Sequence, residues 1–205
     1  MIRVARSALV TAAILLVLPS NGTAQLTLGL KGGVNFTDLA DLESELSSSS
    51  KNDFVGGVYL NIGDRWSFQP ELLYSRRGVD LQEGGTTLGA FKQQFVEVPV
   101  LVHFRLLRGL LEPALYAGAS VAFETDCQIE EVGGESDTCE TLLGADTSSP
   151  LWAGIAGVSA DLDVTVLVLG LDARYNYGFS TVADESDAKW RYFSLMAQVA
   201  IALGR

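Results

Sequence analysis

The sequence is poor in histidine and in long apolar runs, and each shortage excludes a class of protein. His103 is the only histidine, so a site that needs a histidine base beside a nucleophile has one candidate at most. Beyond residue 24 the longest apolar runs, such as residues 98–102 and 164–171, are strand-sized and rich in β-branched residues. A membrane-spanning helix needs about 20 apolar residues. The sequence therefore excludes a helical membrane protein.

The N-terminus has the layout of a secretory signal peptide. Arg3 and Arg6 precede an apolar run at residues 8–18, and small residues follow before Gln25. A membrane anchor helix is the alternative, but this run is too short to span a bilayer. We predict a signal peptide at residues 1–24, cleaved near Ala24.

Basic residues are also scarce. The chain has 14 Lys and Arg against 25 Asp and Glu, a net charge of −11. Without Arg3 and Arg6, the predicted mature domain at residues 25–205 has a net charge of about −13. Phosphate would repel such a surface, so nucleic acid is not expected as a partner. The sequence gives no motif for a cofactor.

The only two cysteines are Cys127 and Cys139. In an exported protein two neighbouring cysteines usually pair, and closing so short a loop stabilises a fold by roughly 3 kcal/mol. A two-thiolate metal site is the alternative, but it needs further ligands and no histidine lies nearby. We predict a disulfide and no metal.

The predicted mature domain alternates in polarity at period two from end to end, as β-strands do. In the first segment Leu28, Leu30 and Val34 fall on one face, and Lys31 and Asn35 fall on the other. Eight such segments are present, and an even number is expected of a bacterial single-chain barrel. They lie at residues 26–36, 54–62, 66–75, 96–104, 113–123, 151–162, 167–177 and 193–203.

The connections between these segments alternate in length. Long polar connections at residues 37–53, 79–91, 124–150 and 179–189 alternate with short turns, as in outer-membrane barrels. Most aromatic residues, Phe95 and Tyr192 among them, lie near the long-loop ends, as in an interfacial girdle. The pattern predicts an all-β fold, an eight-stranded antiparallel up-and-down transmembrane β-barrel in the bacterial outer membrane.

Four sequence motifs resemble a known family. They are Gly-Leu-Lys-Gly-Gly-Val-Asn-Phe at residues 29–36, Phe-Gln-Pro-Glu-Leu-Leu-Tyr-Ser-Arg-Arg-Gly at 68–78, Val-Glu-Val-Pro-Val-Leu at 96–101, and Tyr-Ala-Gly-Ala-Ser-Val-Ala-Phe at 116–123. Together they are similar to the strands of the PorT-like or porin-like outer-membrane β-barrel domain family. The resemblance covers about residues 26–203. It implies fold and location, and the family is functionally mixed.

The polar face of the predicted strands carries ionisable residues that would point into the barrel. One function for them is a proton or ion path, because ionisable groups at membrane depth are costly and often functional. The alternative is a neutralised, hydrogen-bonded filling, since an eight-stranded barrel is just wide enough for side chains. We favour the filling. The predicted network consists of Lys31, Glu71, Glu97, Asp172 and Arg174, with His103 near the short turns.

The connection at residues 124–149 is the most unusual segment, with acidic residues and no lysine or arginine. Divalent cations or a basic partner are candidate ligands, because Ca²⁺ favours clustered oxygen atoms. A solvated acidic loop is the alternative, and no EF-hand spacing is present. The acidic residues are Glu124, Asp126, Glu130, Glu131, Glu135, Asp137, Glu140 and Asp146.

Three classes of function are consistent with these patterns. The first is a structural or interaction protein in contact with outer-membrane lipid, with its acidic loops as the contact surface. The second is a narrow porin-like channel for small solutes. The third, a barrel-embedded hydrolase, has the least support because His103 lies at the periplasmic end. We expect no enzymatic activity and assign no catalytic residue.

Overall fold

The computed structural model describes residues 25–40, 46–50, 52–83, 86–131, 136–138, 150–164, 166–180 and 189–204. No helix in these residues is long and apolar enough to cross a membrane. The predicted signal peptide lies outside the described residues. The described part contains ten strands: β1 (Leu26–Ala40), β2 (Leu46–Ser50), β3 (Asn52–Gly63), β4 (Trp66–Glu83), β5 (Thr86–Arg105), β6 (Leu111–Glu131), β7 (Ser136–Thr138), β8 (Leu151–Val164), β9 (Leu167–Gly178) and β10 (Lys189–Gly204).

Eight of these strands close into a barrel, as the sequence predicts. Each wall strand pairs antiparallel with its neighbours in the order β1, β3, β4, β5, β6, β8, β9 and β10. The ring closes because β1 pairs with β3 on one side and with β10 on the other. Lys31, for example, lies between Gly57 and Gln198. Closure removes the free sheet edges that an open sheet would present.

The two faces of the wall have opposite polarity. Large apolar side chains such as Leu30, Leu72 and Leu171 are exposed on the outside. Lysine, arginine, carboxylate and amide side chains are buried on the inside. On β4 the lipid-facing run from Trp66 to Tyr74 has about the 9–11 residues that a tilted strand needs to cross a bilayer. This arrangement is the inverse of a water-soluble barrel and suits one surrounded by lipid.

Three of the four predicted long loops are partly strand, so that part of the prediction is wrong. Strands β1, β2 and β3 cover most of residues 37–53. Strands β4 and β5 extend through most of residues 79–91, where Asp80 pairs with Ala90. Strand β6 continues to Glu131, and the short strands β2 and β7 pair with β4 and β6. These segments carry glycine, threonine and charged residues in place of a strict apolar alternation, so the pattern does not mark them as strands. Their backbones nevertheless continue the hydrogen-bond pairing of the sheet.

The aromatic girdle is only partly as expected. Phe36, Phe54 and Phe123 are exposed at the long-loop end, where aromatic side chains at the membrane–water interface are expected. Phe95 and Tyr192 are buried, with 0% and 3% of their surface exposed, so their assignment to the girdle is wrong. They occupy inward positions in the alternation of β5 and β10. Their position along the strands, close to the long loops, led to the prediction of a girdle. Whether a side chain contacts lipid depends instead on the face of the strand from which it projects.

Candidate functional site

The barrel interior holds a cluster of four charged side chains at mid-height, which we call the central cluster. It consists of Lys31 on β1, Glu71 on β4, and Asp172 and Arg174 on β9. Strand β9 is four places from β4 in the ring of eight, so these strands lie on opposite sides. Strand β1 lies midway between them. The central cluster therefore reaches across the lumen.

The central cluster is closed by direct ion pairs. Lys31 Nζ donates to Glu71 Oε1 at 2.7 Å and to Asp172 Oδ2 at 3.1 Å. Arg174 Nη1 donates to Glu71 Oε2 at 2.9 Å, and Arg174 Nε donates to Asp172 Oδ1 at 3.2 Å. Each carboxylate thus contacts both cations. The two positive and two negative charges cancel inside the cluster.

Neutral polar groups satisfy the remaining lone pairs of the central cluster. The Tyr116 hydroxyl, on β6, donates to Asp172 Oδ1 at 2.7 Å. The Gln69 amide donates to Glu71 Oε1 at 2.7 Å, and Asn61 donates to Gln69 Oε1 at 2.9 Å. Buried charges persist when they are paired and hydrogen-bonded in this way. The interior is thus a connected polar network.

Glu97, the fifth residue of the predicted network, belongs to a separate group nearer the long loops, which we call the upper cluster. Arg77 on β4 forms a buried ion pair with Glu97 on β5. Arg77 Nη2 also donates to the Tyr192 hydroxyl at 2.8 Å, and that hydroxyl donates to Glu97 Oε2 at 3.1 Å. The guanidinium lies 4.5 Å from the centre of the Phe95 ring and 4.3 Å from that of Tyr192. Aromatic faces stabilise such a cation.

The sequence prediction missed Arg77, Tyr116 and Tyr192 as members of these clusters. The signal was present, because Arg77 continues the inward alternation of Gln69, Glu71 and Ser75 along β4. Every residue at an inward-facing position of a strand contributes its side chain to the barrel interior. This includes aromatic residues whose position along the strand would also suit a girdle.

His103 lies on the inner face close to the short turns, where the sequence places it. Its ring stacks on Tyr116 with the ring centres 4.5 Å apart. Its Nε2 atom is buried and has no hydrogen-bond partner among the described residues. The geometry is that of a packed side chain beneath the central cluster.

Two small cavities lie in the part of the lumen that the described residues line. A cavity of about 30 Å³ at the short-turn end is lined by Tyr59, Asn61, Arg105 and Asp161, among others. A second cavity of about 10 Å³ lies beside Arg77, Ser120 and Tyr192 in the upper half. A single water needs roughly 10–15 Å³ on this measure. The first cavity therefore has room for about two waters, and the second for about one at most.

The predicted disulfide and the acidic connection fall mainly outside the described residues. Cys127 is buried on β6, whereas Cys139 lies outside them, so the disulfide stays a prediction. Gln128, next to Cys127 in the chain, pairs with Thr138, next to Cys139. Within the described residues, no group of three or more His, Cys, Asp and Glu side chains could hold a metal ion.

A closed barrel of eight antiparallel strands, with an apolar outer wall and a charged interior, defines an integral outer-membrane β-barrel protein. The chain belongs to the family described as outer membrane protein beta-barrel domain, whose profile it matches over residues 20–184. It is located in the bacterial outer membrane. No curated protein matches the chain.

Solved structures show the same fold at low sequence identity. A major outer membrane protein from Thermus thermophilus is 13% identical, with a TM-score of 0.53, and the match covers 88% of this chain and 100% of that one. Neisserial surface protein A is 17% identical, with a TM-score of 0.50, and the match covers 88% of this chain and 99% of that one. At these identities the likeness concerns the fold alone.

Proposed function

We propose that this protein is a closed-lumen outer-membrane barrel with a structural or interaction role, which it performs through the surface of its long-loop end. The observation that carries the proposal is the central cluster, which links opposite walls of the lumen through Glu71 and Arg174. A solute that passed through the barrel would have to break these ion pairs.

The burial of the inner side chains supports a closed lumen rather than a conducting pore. The side chains of Lys31, Glu71 and Asp172 have no exposed surface, and Arg174 has almost none. A conducting lumen would wet at least one face of such groups. Eight strands leave an interior that side chains can fill, whereas aqueous channels are typical of wider barrels.

The long-loop end supports a contact role. Strands β4, β5 and β6 are much longer than a strand needs to be to cross the bilayer. These three neighbouring strands therefore extend one side of the barrel wall beyond the membrane. The connection at residues 124–149 then adds its acidic residues. We propose a basic partner or divalent cations as the ligands of this end. A narrower PorT-like assignment belongs with this proposal and rests on the four sequence motifs.

A narrow channel for small solutes is the second candidate. The polar lining and the small cavities at two heights favour it over catalysis. We propose no enzymatic activity, because His103 is buried in a stack against Tyr116 at the short-turn end.

Solute leakage from vesicles tests the proposal. The refolded barrel should release no more small sugar or ion from lipid vesicles than protein-free vesicles do. The double variant Glu71→Ala with Arg174→Ala, which removes the link across the lumen, should leak faster than the wild type. Rapid size-dependent leakage through the wild type would establish the channel instead. Binding of a basic peptide that is lost when residues 128–138 are deleted would support the contact role.

A further inference from the structure

The outer wall carries a repeated order of side chains at the edge of its apolar belt. On β4 the lipid-facing positions run from Leu72 through Tyr74 to Arg76, towards the long loops. On β10 they run from Leu195 through Phe193 to Arg191. In both strands an aliphatic residue is followed by an aromatic ring and then by a guanidinium. This places both cations just above the hydrocarbon layer.

Strand β5, next to β4, has a related order, with Val96, Gln94 and Lys92 at its outward positions. Arg76 pairs with Gln94 and Gly78 pairs with Lys92, so Arg76 and Lys92 are diagonal neighbours on adjacent strands. We call Arg76, Lys92 and Arg191 the outer collar. All three lie at the long-loop end of a chain that is otherwise strongly acidic.

Arg76 is held in a fixed orientation on the surface. Its Nε donates to the Tyr74 hydroxyl at 3.2 Å, and the guanidinium lies 5.7 Å from the Tyr74 ring centre. The Tyr74 hydroxyl in turn donates to Gln94 Oε1. Within the part of the chain that the structure describes, the Arg76 side chain forms no other hydrogen bond or ion pair, and its backbone carbonyl accepts from the Asn35 amide. Its Nη1 and Nη2 groups are thus exposed donors on a braced side chain.

No carboxylate among the described residues forms an ion pair with Arg76, and the charge of Asp53 attracts the guanidinium only from a longer distance. Asp53 on β3 shares the inward face of Val55, and its Oδ2 atom is buried. Asp126 on β6 accepts a hydrogen bond from Gln94 Nε2 at 2.9 Å. Arg191 also lies over an aromatic ring, with its guanidinium 5.0 Å from the ring centre of Tyr177, and its Nε atom is buried. Lys92 and Arg191 each make a further contact within the fold.

The membrane supplies the chemistry that fits this collar. An aromatic ring at the interface marks the level of the lipid head groups, and long cationic side chains extend towards that level. A guanidinium matches the oxygen atoms of a phosphate with two parallel donors. We propose that the outer collar binds the phosphate groups of outer-leaflet lipids. This inference rests on the outer-membrane location and does not depend on whether the lumen conducts.

Lipid binding by the folded, full-length mature barrel tests the proposal. Phosphorylated lipid A and its dephosphorylated form are titrated separately into the detergent-solubilised barrel, and bound lipid is counted by native mass spectrometry. The wild type should prefer the phosphorylated form. Replacing Arg76, Lys92 and Arg191 together by Gln should weaken binding of that form by about fivefold for each charge removed.

Matched variants separate charge from folding. Arg108→Gln removes an exposed cation at the short-turn end, where Arg108 pairs with Asp64, and should leave lipid A binding unchanged. The charge-preserving variant Arg76→Lys with Arg191→Lys should retain most of the preference. Equal binding of the two lipid forms by the wild type would overturn the proposal, as would an unchanged preference in the Gln variant. Displacement of lipid A by excess inorganic phosphate would also overturn it, because it would point to a site for free anions.

Discussion

The guanidinium of Arg174 on β9 donates two hydrogen bonds, of 2.9 and 3.2 Å, to the Glu71 carboxylate on the opposite wall of the barrel. The two residues are 103 positions apart in the chain. Lys31 approaches both carboxylates of the central cluster from a strand midway between them. Strands that do not pair with each other are thereby tied together through the lumen.

Removing one partner of this link should destabilise the barrel. Arg174→Gln would leave Glu71 and Asp172 with Lys31 as their only cation, and breaking a buried pair typically costs about 3–5 kcal/mol. We expect a loss of this order in the free energy of unfolding, measured by urea titration in lipid vesicles. Arg108→Gln is the control, because an exposed pair contributes about 0–1 kcal/mol. Equal effects of the two variants would contradict the account.

The inner tyrosines depend on glycine at the facing positions. A Cβ at Gly157 would overlap the ring of Tyr116 and would lie 2.6 Å from the Ala173 carbonyl oxygen. Gly157→Ala should therefore displace the ring that donates to Asp172 and cost about 1–3 kcal/mol. Gly32→Ala is the matched control, because its Cβ would have nothing closer than 3.8 Å. Unfolding titrations that rank the two variants in the opposite order would refute this role.

The pairing of Cys127 with Cys139 can be checked in the natively exported protein. Intact mass spectrometry after alkylation without reductant should find no alkylated thiol, and after reduction it should find two. The double variant with both cysteines replaced by Ser should unfold more readily by roughly 3 kcal/mol. Two reactive thiols in the unreduced protein would show that the disulfide does not form. Zinc that co-purifies with a reduced chain would favour the two-thiolate site.

The sequence was sufficient to predict the wall and the inward face, because burial in lipid imposes a period-two pattern on every spanning strand. Lys31, Glu71, Asp172 and Arg174 all lie inside for that reason. Their partners could not be predicted, since contact across a barrel depends on the relative register of strands that are not neighbours. Glu97 thus pairs with Arg77 in the upper cluster, away from the central cluster.

The lengths of β4, β5 and β6 were not predictable for a different reason. Above the membrane no lipid face selects apolar residues, so segments such as residues 86–91 show no clear alternation even though their backbone pairs with β4. Phe95 illustrates a third limit. A phenylalanine near a long loop suits a girdle, and only the parity of β5 assigns it to the interior beside Arg77.

The most direct test of the closed lumen is the single-channel conductance of the refolded wild-type barrel in a planar bilayer, beside the Glu71→Ala with Arg174→Ala variant. The account predicts a silent wild type whose folded state is verified by its gel mobility, and measurable conductance steps in the variant. Stable, salt-dependent steps in the wild type would contradict it and would establish an open channel.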